Sequence, residues 1–222
     1  AALCLRRVLR TRPGILRGLW HVPQPDVLKR LIAMGVPLGL TSLIASAGSA
    51  AFQYAINTLG SDTVAAVAMA DRLFALGVMP VMVLGGAAEV FSGQNYGANR
   101  IGRIRTGVVR LFLFMTGVFW PIAAIMAAGS GRFLPLLFGD AALELTPLAG
   151  RYLLWCAGAL PLQVVGSILK DVLQGIGMPG KALIASVYEL LVRLACALWG
   201  VRAFGFAAIC AANPVGWALS AL

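Results

Sequence analysis

Eight acidic and eighteen basic side chains are scattered through 222 residues, and those inside apolar runs carry the chemistry. Asp71 and Arg72 are adjacent in one such run, Glu189 and Arg193 stand four apart in another, and Glu89 and the Lys170-Asp171 pair sit near the ends of two more. A charge left alone in hydrocarbon costs roughly 2.5–3.5 kcal/mol on the insertion scale, so each needs a partner or a water-lined cavity. Glu189 and Arg193 share one helical face and either neutralise each other or serve a cavity. Asp71 and Arg72 point about 100° apart, so at least one must be met from another helix. Glu89 is expected to pair with Arg100 or Arg103, and Lys170 and Asp171 to lie at the membrane interface. Among uncharged groups, Gln53, Asn57, Gln163, Thr41, Ser46 and Ser49 lie along apolar helices, either bonded to a neighbouring helix or lining a passage. Gln163 follows Pro161, which frees a carbonyl and favours a bend there.

These residues do not make an enzyme. His21 is the only histidine, there is no CxxC, and the four cysteines have no paired spacing. No metal-ligand set or Ser/His/Asp set can be assembled, and Cys156, Cys196 and Cys210 read as small buried hydrophobes. Gly175-Ile-Gly-Met-Pro-Gly180 spells G-x-G-x-x-G, but an apolar helix rather than a strand precedes it, so it reads as a tight turn. Of the two G-x-x-x-G strings, Gly35–Gly39 suits close helix packing, whereas Gly93–Gly97 falls in a polar stretch and reads as coincidence.

Composition sets the medium in which these groups act. Residues of the AVILMFWYC set make up 60% of the chain, charged residues 12%, and mean hydropathy is +0.88. Soluble domains carry about twice that charge, and a soluble surface cannot be built from so little, so most of the chain belongs in lipid. The net charge of +10 lies in short segments between apolar runs, which speaks for membrane topology rather than nucleic-acid binding.

At about 20 residues per crossing, the pattern predicts an all-α polytopic protein. Residues 1–30 form a basic cytoplasmic linker, and 31–222 a lobe of six transmembrane helices at about 31–59, 63–91, 108–128, 148–176, 182–201 and 204–222. The stretch 92–107, with Gln94, Asn95, Asn99, Arg100, Arg103 and Arg105, is expected to be a basic loop. Alternating the sides places thirteen basic residues on one side and three on the other, which puts the N-terminus in the cytoplasm. Tryptophans 20, 120, 155, 199 and 217 fall mostly toward span ends as interface anchors.

Gly35-Val-Pro37, Leu59-Gly60 with Val64-Ala65-Ala66, Arg72, Met79-Pro80, Gly93-Gln-Asn-Tyr-Gly-Ala98 with Arg103, and Gln174-Gly175-Ile-Gly177 resemble, in order and spacing, the multidrug and toxic compound extrusion (MATE) family. The resemblance covers residues 15–222. It implies one half of a twelve-helix, two-lobe membrane transporter, with the basic lead-in matching the linker that precedes the C-terminal lobe. It also implies efflux of small cationic compounds coupled to inward Na⁺ or H⁺, no other cofactor, a partner N-terminal lobe outside this chain, and a bacterial inner-membrane location. Gln53, Asn57, Gln163, Glu189 and Arg193 are then the cavity candidates. Asp71, Arg72, Gly93, Gln94, Asn95, Gly97, Gly175 and Gly177 form the structural and loop motifs. In the Na⁺-coupled branch this lobe carries two acids whose positions correspond to Ala45 and Gln163. Both acids are absent, which points to the branch whose ion is carried by the N-lobe. The runner-up readings are a lipid-linked oligosaccharide flippase on the same plan, whose many cavity Arg and Lys residues have little counterpart here, and a non-transporting membrane remnant.

Overall fold

The computed structural model describes residues 25–139 and 142–221. It divides into two units, residues 1–35 and 36–222. Of the first unit, the described residues 25–35 are helical. In chain order the helices are α1 (Pro25–Asn57), α2 (Ser61–Gly97), α3 (Ile101–Ala128), α4 (Ser130–Phe138), α5 (Thr146–Gly175), α6 (Pro179–Phe204) and α7 (Phe206–Ser220). No strand occurs among the described residues. α6 contains a one-turn π segment at Cys196–Gly200.

Five helices, α1, α2, α3, α5 and α6, are long and apolar enough to cross a membrane. The expected sixth is the 15-residue α7, about 22 Å at 1.5 Å per residue and shorter than the hydrocarbon layer. It is cut off from α6 by Gly205, whose φ of +56° ends the helix. Residues 25–30, expected in the linker, begin α1; the rest of the basic segment, through residue 24, lies outside the described residues.

The connections are tighter than the sequence suggested. The stretch read as a loop, 92–107, is helical except for Ala98–Arg100. Asn99 adopts φ +57°, while Asn99 N–H donates to Tyr96 O (2.9 Å) and Arg100 N–H to Asn95 O (2.8 Å). This is a Schellman end, with asparagine tolerating the left-handed position. The same device closes α5: Gly177 has φ +81°, Gly177 N–H donates to Gln174 O (3.0 Å) and Met178 N–H to Leu173 O (2.8 Å). Polar side chains did not force a loop because helix satisfies the backbone internally and these side chains lie at the helix ends.

α5 is the centre of the second unit, packing against α2, α3, α4, α6 and α7. Tyr152, Leu153, Cys156, Leu160, Val164 and Ile168 are buried along it. Many of the buried positions on α2 and α3 are alanines, among them Ala66, Ala70, Ala88, Ala123 and Ala127. Small residues let backbones approach in lipid, where no hydrophobic force drives helices together.

Candidate functional site: an intramembrane polar network

Three stations on α5 organise the polar groups. Tyr152, Gln163 and Lys170 are 11 and 7 residues apart, spacings that return to nearly one helical face at intervals of about 16 and 10 Å. Each station meets a different environment.

At the first station Tyr152 is fully buried. Asn213 on α7 donates from Nδ2 to the Tyr152 hydroxyl oxygen at 2.8 Å. Asp71 on α2, an exposed residue, comes near that hydroxyl, with Cys156 one turn along α5 and the Arg193 charge of α6 within range of Asp71. Asn213 Oδ1 is buried without a partner. One turn further on both helices, Phe74 and Trp217 stack with centroids 6.3 Å apart, which joins α2 to α7 beside the cluster. Trp217 is therefore buried core rather than an interface anchor, whereas Trp120, Trp155 and Trp199 are exposed. Trp20 lies outside the described residues.

The second station, Gln163, presents a buried Oε1 with no partner. The third carries an ion pair: Lys170 Nζ lies 2.7 Å from Glu189 Oε1 on α6, both side chains 19% exposed. Lys170 is thus held between α5 and α6, five residues from the end of α5. The expected Glu189–Arg193 pair does not form. Glu189 turns to α5, and Arg193 NH1 donates to Ser49 Oγ on α1 at 3.0 Å. An i,i+4 pair satisfies two charges on one helix, but here each ion gains a partner on another helix, which also ties the helices together.

Glu89 is not paired with Arg100 or Arg103. Helix α2 continues past it to Gly97, so Arg100 lies about 16 Å further along the axis. Glu89 instead neighbours Asp171, whose carboxylate fills the space over Gly85. On α1, Gln53 Nε2 donates to Asn57 Oδ1 at 2.9 Å. Ser42, Ser46, Ser49 and Thr41 bond back to carbonyls one turn earlier. Asp71 and the adjacent Arg72 are both exposed.

The glycine motifs meet each other. A Cβ at Gly93 would stand 2.8 Å from Gly175 O, and one at Gly175 would overlap the Glu89 carbonyl. This α2–α5 crossing needs bare backbone on both sides. Gly93–Gly97, read as coincidence, contributes the close approach through Gly93, while a Cβ at Gly39 of the other string would meet open space. Gln94 and Gly97 are exposed at the end of α2, and Asn95 is buried with Nδ2 donating to Phe91 O (2.8 Å). Tyr152, Asn213 and the Gly93–Gly175 contact were missed by sequence reasoning. The signal available for the first two was their place on apolar helices as hydrogen-bonding side chains, the same signal that singled out Gln163.

A bundle of membrane-length helices around a central one, with polar side chains bonded across helices, defines a polytopic membrane protein. The MatE family model matches residues 37–199, and the chain belongs to that family. It is 25% identical over 172 residues to the probable multidrug resistance protein YpnP of Bacillus subtilis (strain 168), covering 78% of this chain and 38% of that protein. Its fold matches a crystal structure of MATE in the bent conformation (TM-score 0.80, 20% identity, 91% of this chain and 45% of that one). It also matches a mutant of the Vibrio cholerae MATE transporter VcmN (TM-score 0.81, 19% identity, 96% and 50%). The chain spans half or less of the length of these relatives.

Proposed function

We propose that these residues form the C-terminal lobe of a secondary transporter that expels small cationic compounds across a bacterial inner membrane in exchange for inward Na⁺ or H⁺. The observation that carries this reading is the MatE match over residues 37–199 in a fold that corresponds to about half of a MATE chain. The basic N-terminal segment supports the C-terminal assignment and a cytoplasmic N-terminus, as the linker between two lobes would. The other lobe of the transporter is the main partner, together with the bilayer. Gln53, Asn57 and Gln163 are the uncharged lining groups, and Glu189 and Arg193 fix α6 against α5 and α1.

Such a lobe works by rocking against its counterpart, which requires each half to move as a packed body. The α5-centred packing and the interhelical Lys170–Glu189 and Arg193–Ser49 contacts serve that rigidity. Reconstitution of the native full-length polypeptide in liposomes tests the function. An imposed Na⁺ or pH gradient should drive efflux of a cationic dye, and equal dye movement with and without either gradient would refute the proposal.

A further inference from the structure

Helix α6 opens with Lys181, Ile184, Ala185 and Tyr188, a spacing that keeps them on one face over two turns, about 10 Å. With Leu173 of α5 and Leu219 of α7 this stripe lines a groove of about 750 Å³ between the three helices. We propose that the groove holds one acyl chain of an anionic phospholipid, with Lys181 and Lys170 at the lipid phosphate.

The position along the bundle suits a headgroup. α5 ends at Gly175 and α6 starts at Pro179, and the Gly93–Gly175 contact brings the end of α2 to the same face of the bundle. Arg100, Arg103 and Arg105, just beyond α2, are exposed there. Lys181 is exposed as the third residue of α6, and Lys170, five residues before the end of α5, lines the groove beside it. Among the described residues the one ion pair is Lys170–Glu189. It leaves the Lys181 charge uncompensated, and an ammonium has three donors, so Lys170 keeps two for a further acceptor. The neighbouring Asp171 is turned to Gly85 on α2.

Below the two lysines the lining is apolar and open, with Ile184 56% and Leu219 40% exposed, and an acyl chain covers such a surface. Any lipid supplies that chain, so the ammonium groups decide which lipid is kept. Lysine donates to phosphate as a point charge. A zwitterionic headgroup brings a cation of its own that opposes the two lysines, whereas an anionic headgroup brings none. Basic pockets between membrane helices hold anionic headgroups for this reason. A cationic compound is repelled here, so the groove is separate from the passage for cationic compounds proposed above. Its assignment to the cytoplasmic leaflet rests on the topology in that reading; the lipid preference does not.

Mass spectrometry of the intact full-length polypeptide, released from nanodiscs of equal phosphatidylglycerol and phosphatidylcholine, reads the bound lipid directly. Retention of phosphatidylglycerol in preference to phosphatidylcholine is the expected result. Lys181→Ala should lower that preference about tenfold, the size of one hydrogen bond to a charged group. Arg103→Ala removes the same charge from the same face outside the groove and should leave the preference unchanged. Ala185→Phe should fill the groove and reduce retention of both lipids. Equal retention of the two lipids by the wild type, or equal effects of Lys181→Ala and Arg103→Ala, overturns the site. Release of phosphatidylglycerol by millimolar inorganic phosphate does so too, since it would show a site for the free anion. If Ala185→Phe fails to fold, the comparison of Lys181→Ala with Arg103→Ala decides alone. Dye efflux on the same preparations separates the two proposals: its absence under a gradient refutes the transporter reading and leaves the lipid site standing, while lipid indifference with intact efflux removes the lipid site alone.

Discussion

Lys170 and Glu189 illustrate what a charge costs in a membrane protein. The pair is short and mostly buried, and removing one partner leaves the other unsatisfied. Glu189→Gln should lower the thermal midpoint in detergent, at a cost of about 1–3 kcal/mol given the remaining exposure. The Lys170→Glu, Glu189→Lys double swap should recover most of that loss. A swap no better than the single mutant would show that the pair does not act as a unit. Gln163 makes a different prediction. Its Oε1 is buried and unbonded, so Gln163→Ala should leave stability within about 1 kcal/mol and change which cationic dyes are expelled. The ion dependence of efflux should persist, and its loss would place Gln163 in coupling.

At the scale of elements, α2 and α5 depend on two glycine contacts and two left-handed caps. Gly175→Ala puts a methyl into the Glu89 carbonyl, and because backbone cannot yield as a side chain can, the expected loss is about 1–3 kcal/mol. Gly177→Ala strains a φ of +81° and should cost about 1 kcal/mol. Asn99→Gly, at the matching end of α2, should be neutral or slightly stabilising. Thermal denaturation of the three variants side by side checks the order: Gly175→Ala lowest, then Gly177→Ala, with Asn99→Gly at or above wild type. Helices α1, α2, α3 and α5 run continuously through the interior prolines Pro37, Pro80, Pro121 and Pro161, which membrane helices tolerate.

At the scale of the whole molecule, the chain spans half or less of its relatives, and the proposal makes it one of two rocking bodies. The 222 residues expressed alone should insert in the membrane yet give no gradient-driven dye efflux, whereas co-expression with the preceding half of the polypeptide should restore it. Efflux by this chain alone would show that it is sufficient. What the sequence determined by itself was the solvent and the elements: apolar runs of crossing length, sparse charge and proline-tolerant helices follow from transfer energetics that act residue by residue. It also marked the motifs at Gly93 and Gly175, but not that they touch. Only the tertiary structure decided the partners. Arg193 reaches Ser49 rather than Glu189, Glu189 takes Lys170, and Tyr152 takes Asn213. The physical reason is that helical spacing fixes which face a side chain occupies, whereas its partner depends on which helix is packed there, and at what depth, by contacts between residues far apart in the chain.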